Sequence, residues 1–196
     1  MSCGFFLSGT VTPSIPMHQT DRTNSNYTMN IKREIVIEKP VSEVWMIVGS
    51  HFGDAYKWAR GLNHSEGHGE SEFEGATCRN RTCQVPGFGK IKEVIQEFDQ
   101  VNHVLSYEVV EGFPGFISSA VNTWNLEAIG QKKTKVTMNL VMNTTGIKGA
   151  IMGPMMKMNL NKMISGVVSD LKIYAETGKP SPYKTKELEE TEPKAA

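Results

Sequence analysis

Residues 133–178 read KTKVTMNLVMNTTGIKGAIMGPMMKMNLNKMISGVVSDLKIYAETG, a strand followed by a long helix, and this pairing decides the fold. Val136, Met138, Leu140 and Met142 alternate with Lys135, Thr137, Asn139 and Val141. A period of two marks a strand with one face in a core and the other mostly wet. From Pro154 the period changes. Met152, Met156, Leu160, Met163, Ile164, Val167, Leu171 and Tyr174 recur at steps of three and four. That spacing predicts an amphipathic helix of about six turns, stopped by Gly178-Lys179-Pro180.

Upstream, turn signals at Glu74-Gly75, Pro86-Gly87, Asp99-Gln100, Gly112-Phe113-Pro114-Gly115 and Gly130-Gln131 separate candidate strands 64–71, 76–84, 89–99, 103–111, 117–129 and 133–143. Ile31, Ile35 and Ile37 form an earlier short strand. Pro40 with Val41, Val44, Trp45 and Val48 then opens a helix that Gly49-Ser50 break. A second short helix is predicted from Phe52 to Arg60, closed by Gly61. The expected class is α+β: one strand, two short helices, six hairpin-linked strands in an antiparallel meander, and one long helix. A helix of about 24 residues is roughly 36 Å long. One such rod cannot fill the concavity of a curved sheet, so the leftover volume is either a second core layer or a pocket.

The 196 residues suffice for one domain with a sizeable core. Residues 31–180 carry the pattern. Residues 1–30, Ser/Thr/Asn/Pro-rich from Thr10, and the charged tail 181–196 are expected to be disordered. Met29, just ahead of the first patterned segment, offers an alternative translation start, which the intact mass of the native protein would settle. Lys and Arg total 21 and Asp and Glu total 21, a balance that argues against nucleic acid as the partner. No apolar run approaches the roughly 20 residues that span a bilayer, so stable membrane insertion is not expected. Phe5, Phe6 and Leu7 lack the positive flank of a secretory signal. Cys3, Cys78 and Cys83 make no disulfide framework and read as free thiols in a reducing cytoplasm, with Cys78 and Cys83 on opposite faces of one strand.

The stretch Ile37-Glu38-Lys39-Pro40-Val41-Ser42-Glu43-Val44-Trp45 resembles the opening strand and helix of the SRPBCC, or START-like, superfamily. The likeness continues through Trp58, Gly75 with Arg79, Gly89 to Ile95, Phe98-Asp99 and Leu105 to Val109, and on to Tyr174-Ala175-Glu176-Thr177-Gly178. It is strongest to the polyketide cyclase/dehydrase and lipid-transport branch, and extends to abscisic-acid receptors and birch-pollen-type allergens. The resemblance implies a helix-grip fold with a ligand cavity between sheet and helix. It does not assign an activity, because carriers, receptors and enzymes share this architecture.

Glu93 shares a face with Ile91 and Ile95, and a carboxylate there needs a partner. Arg79, one strand earlier, is the candidate, and by resemblance to the hormone receptors both positions hold a ligand's oxygen atoms. The alternative is a surface pair of Glu93 with Lys90 or Lys92. Tyr107, on a face with Leu105 and Val109, could donate to a ligand carbonyl or be an ordinary core tyrosine. Asn122, Trp124 and Leu126 share a face. Trp124 reads first as packing, and Asn122 needs a polar partner from protein or ligand.

Eleven methionines are an unusual number, and Met138, Met142, Met156 and Met163 with Leu140 and Leu160 suggest an adaptable apolar wall. A loosely specified core competes with that reading. Contact of Ile147 and Ile151 with a membrane surface is a third, with only Lys148 and Lys157 nearby to supply charge. Pro86, Gly87 and Phe88 could form a hinged lid, as the corresponding loop does in the receptor relatives, or a plain hairpin turn.

His64, Glu66, His68 and Glu70 suit a transition metal by type, but their segment is polar on both faces and no metal is expected. His51 and His103 stand in no nucleophile–base spacing. No G-x-S-x-G, G-x-G-x-x-G or P-loop pattern occurs, and no cofactor is expected. The leading expectation is a binder or carrier of a small lipophilic molecule. The alternatives are a cyclase- or dehydratase-like enzyme, with Glu93 as general acid/base and Tyr107 or Arg79 polarising a carbonyl, and a ligand-gated interaction module.

Overall fold

The computed structural model describes residues 27–191. In chain order the elements are β1 (Tyr27–Ile37), α1 (Val41–Trp45), β2 (His64–His68), β3 (Asn80–Val85), β4 (Gly89–Asp99), β5 (Val104–Glu111), β6 (Ile117–Gly130), β7 (Lys133–Thr144), α2 (Gly146–Thr177) and α3 (Pro182–Thr191). Between α1 and β2 the chain continues helically through Met46–Ser50 and a tighter turn at Phe52–Lys57. The strands form one antiparallel sheet in the order β1-β7-β6-β5-β4-β3-β2. From β2 to β7 each strand pairs with its neighbour in sequence. β1 alone crosses over, pairing with β7 from Tyr27 opposite Thr144 to Ile37 opposite Thr134. This is the helix-grip arrangement.

Alternation sets which face is buried. Along β7, Val136, Met138, Leu140 and Met142 are buried together with Thr134 and Thr144 at the strand's two ends. In β4, Ile91, Glu93 and Ile95 are buried in turn, and a bulge between Ile95 and Glu97 re-phases the strand so that Phe98 also points inward. Val44, Trp45, Val48 and Phe52 pack into the same core, and Ile164, Val167, Val168 and Leu171 face it from α2.

Three expectations are corrected. The first strand begins at Tyr27, within the segment expected to be disordered. Thr28 Oγ1 donates to Asn143 Oδ1 at 2.7 Å, and buried Met29 sits opposite Met142. A polar segment serves as strand because the ladder needs only its backbone. Residues 1–26 lie outside the described residues.

Secondly, α2 does not start at Pro154 but eight residues earlier, for a length of 32 residues. Pro154 removes one backbone donor from the helix interior. Close docking of the first turns offsets that loss. A side chain at Gly153 would run into the ring of Tyr27, and one at Gly149 into Thr144. At the other end Gly178 adopts φ +73° and its N–H reaches the Tyr174 carbonyl at 2.8 Å, the left-handed stop that its position suggests.

Thirdly, the charged tail is a docked helix through Thr191. Ser181 caps α3, accepting from the Lys184 N–H at 3.2 Å, and Pro182 occupies the first helical position. Lys184 is fully buried, with Nζ donating to the Leu62 carbonyl at 2.6 Å and lying 3.4 Å from Glu187 Oε2. Burial holds the Lys184 amine below its ordinary pKa, opposed by the Glu187 carboxylate. Low apolar content misleads here, because the anchor is a lysine stem with a satisfied head.

Replacing Lys184 by Met keeps the stem but strands the Leu62 carbonyl, and is expected to cost about 1–3 kcal/mol in urea unfolding. Lys186→Met, on the exposed side of α3, should change stability by less than about 0.5 kcal/mol.

Candidate functional site

The sheet's concave face, the segment from Val48 to Leu62 and the inner side of α2 surround a cavity of about 400 Å³. Its walls are mostly apolar. Leu105, Val109, Trp124, Met138, Leu140 and Met142 come from the strands, and Met156, Leu160 and Met163 from α2. Phe52 and Trp58 close the side facing the short helical segment.

The polar groups are concentrated on the sheet floor. Strand register sets two rows, Arg81–Glu93–Val109 across β3, β4 and β5, and Tyr107–Asn122–Leu140 across β5, β6 and β7. Arg81 and Glu93 are both buried. Arg81 Nε donates to Glu93 Oε2 at 2.7 Å and Nη1 to the Phe52 carbonyl at 2.8 Å. Cys83 Sγ donates to the same Glu93 oxygen at 3.3 Å. The guanidinium lies 4.0 Å from the ring centroid of Phe52 and 5.1 Å from that of Tyr107, which adds cation–π attraction. Trp124 Nε1 donates to the Tyr107 hydroxyl oxygen at 3.4 Å. Burial and the Glu93 charge push the Tyr107 phenol up to about 12. Burial also pushes the Cys83 thiol up to about 12, with the Arg81 charge opposing it only in part. Trp58 Nε1 and Asn122 Oδ1 are buried without a hydrogen-bond partner among the described residues.

Of the residues singled out from sequence, Glu93, Tyr107, Val109, Asn122, Trp124, Met138, Leu140, Met142, Met156, Leu160 and Met163 all line the cavity, as does Phe88. Phe88 is also exposed to solvent and stands edge-on to Phe113 at 5.3 Å. Pro86 and Gly87 form the β3–β4 turn without lining the cavity. Ile147 and Ile151 point outward, 76% and 73% exposed.

Arg79 is a correction. It precedes β3, lies on the surface and pairs with Glu72 at 2.9 Å. The partner of Glu93 is Arg81. Val85 pairs with Gly89 across the turn, and counting back from that pair puts residue 81 opposite 93. The turn was legible, so the register was within reach. Cys78 also lies ahead of the strand rather than on it, and both it and Cys83 are buried. Phe52, Trp58 and the Arg60–Leu62 stretch were missed as lining, because a short helical segment carries no sign of which cavity it faces. Among the described residues no group of three or more His, Cys, Asp or Glu is placed to hold a metal ion, and no helix is long and apolar enough to cross a membrane.

The profile of the polyketide cyclase / dehydrase and lipid transport family matches residues 28–176. The chain belongs to this family. Solved structures share its fold. A START superfamily protein from Mycobacterium smegmatis is 11% identical, with 76% of this chain and 99% of that one covered and a TM-score of 0.62. Truncated norcoclaurine synthase from Thalictrum flavum is 13% identical, covering 78% and 96%, with a TM-score of 0.56. Ara h 8.0201 is 12% identical, covering 76% and 98%, with a TM-score of 0.55. At such identities the polyketide cyclase-like chain shares a fold with these proteins and no more. A search of curated proteins finds no match.

Arg81→Met leaves the Glu93 charge buried and unpaired, and should cost about 3–5 kcal/mol in chemical unfolding. The double replacement Arg81→Met, Glu93→Met should recover most of that loss. The raised Cys83 thiol predicts a second result. Moving from an ordinary 9.0 to about 12 lowers the thiolate fraction about a thousandfold at mildly alkaline pH. Peptide-resolved alkylation should therefore leave Cys83 unmodified in the native protein and modify it readily in denaturant.

Proposed function

We propose that this protein binds or carries a small lipophilic molecule in the cavity between sheet and α2. One observation carries the reading: a space of about 400 Å³ with mostly apolar walls and most of its polar side chains on the sheet floor. Ligand sites of roughly 300–1,000 Å³ take this form, with apolar area supplying affinity and a few polar groups fixing orientation. Glu93, Tyr107 and Asn122 are the groups placed to orient a polar end, and the methionines adapt the wall to its shape. Phe88, reaching both cavity and solvent, acts as the lid over the ligand. Membership in the polyketide cyclase / dehydrase and lipid transport family is consistent with this assignment.

Binding is favoured over catalysis by the state of Glu93. A general acid/base must exchange a proton with its substrate. Here the carboxylate is engaged by Arg81 and Cys83, an arrangement suited to holding a fixed charge.

Native mass spectrometry of the purified protein, followed by extraction, should recover a co-purifying small molecule. The uncharged fluorophore N-phenyl-1-naphthylamine should bind saturably to the emptied protein. Leu160→Trp, which places bulk in the cavity from α2, should weaken that binding by about tenfold or more while leaving the circular dichroism spectrum unchanged. Equal affinity in wild type and variant would place the probe elsewhere and remove the support for this site.

A further inference from the structure

Among the described residues that line the cavity only two are cations, Arg60 and Arg81, and both are already paired inside the protein. Arg60 makes a two-pronged contact with the fully buried Asp170, Nε to Oδ2 and Nη2 to Oδ1, each at 2.7 Å. Its guanidinium also lies 4.4 Å from the centroid of the Tyr183 ring. Arg81 is held by Glu93 and the Phe52 carbonyl, with the Phe52 ring against its face. Neither guanidinium is available to a ligand anion without breaking a buried ion pair.

The acceptor side is different. The polar contacts that reach Glu93 within the described residues land on Oε2, so Oε1 keeps its capacity to accept. The floor thus offers an open carboxylate oxygen and, among the described lining residues, no cation outside an ion pair.

We propose that the cavity selects uncharged, hydroxyl-bearing ligands, alcohols or phenols, and excludes the corresponding carboxylates. This deepens the cavity-binding reading and rests on it. A carboxylate entering the cavity would lose its hydration, find both lining arginines already paired and face the open oxygen of Glu93. A hydroxyl loses far less on desolvation and donates to Glu93 Oε1. Free fatty acids and other anionic amphiphiles are therefore poor ligands, although their apolar parts would fit the walls.

The test is displacement of N-phenyl-1-naphthylamine by four matched compounds: biphenyl, 4-phenylphenol, biphenyl-4-carboxylate and its methyl ester. At neutral pH the phenol should bind about tenfold or more tighter than the carboxylate, and tighter than biphenyl. The methyl ester, bulkier than the acid but uncharged, should bind at least about tenfold better than the acid. Acidification into the range where the acid is protonated should narrow its deficit. In Glu93→Gln, which releases Arg81, the carboxylate should gain on the phenol by about tenfold. The wild-type panel stands alone if that variant fails to fold. A carboxylate that binds as well as the phenol, or an ester as weak as the acid, would overturn the selection rule and leave the cavity reading in place. Failure of the fluorophore and all four compounds to bind would overturn both.

Discussion

Seven antiparallel strands offer one apolar face, and one long helix lies against it. At about 4.8 Å between strands the sheet is roughly 30 Å across, whereas a helix with its side chains is about 10–12 Å wide. The mismatch has to be met by curling the sheet and by adding cover from elsewhere. The segment from Val41 to Lys57 supplies some of that cover, burying Val44, Trp45, Val48 and Phe52. α2 supplies more, and comes close to the end of β7 at Gly149 and to β1 at Gly153, where glycine replaces a side chain. What neither can reach remains as the cavity. Its existence follows from the geometry of the parts, and its character follows from which side chains happen to face it.

Charge inside this space is handled by internal pairing. Asp170 neutralises Arg60, Glu93 neutralises Arg81, and Lys184 is held by a carbonyl and Glu187 just behind the wall. Two of these contacts, Arg60 with Asp170 and Lys184 with the Leu62 carbonyl, join elements that are distant in sequence. Arg60 fastens the short helical segment to α2, and Lys184 with Glu187 fastens α3 to the same segment through Leu62 and Gly61. Such pairs add little net stability over an apolar filling, but removing one partner is costly, so they hold the arrangement in place.

Element order was legible because the controlling periodicities are local. The alternation of Val136 to Met142 and the three-and-four spacing from Met156 to Tyr174 announce themselves within a dozen residues. Part of the cavity lining followed, since inward-facing positions on a known sheet are the apolar ones. The failures were non-local. Arg79 and Arg81 have the same parity, and only the point at which β3 begins separates the surface residue from the buried one. Tyr27–Asn30 look unstructured alone and become strand because β7 presents a free edge to them. The helix after Ser181 carried a cap signal, Ser-Pro, that composition overshadowed, and its buried anchor is a lysine whose partner lies 122 residues away.

The crossover of β1 onto β7 also governs the order in which the molecule can be assembled. Tyr27 and Thr144, 117 positions apart, meet across a single ladder rung. Strands β2 to β7 can zip in sequence as hairpins, but the last edge cannot close until β7 has formed and the first strand has waited for it. On a ribosome the N-terminal strand would emerge long before its partner, with a hydrogen-bonding edge and Met29, Ile31 and Ile37 uncovered. Long-range pairing of this kind slows folding and prolongs exposure of sticky surface. The waiting time of that one strand, rather than the strength of the finished core, is where a nascent chain of this design is vulnerable to aggregation.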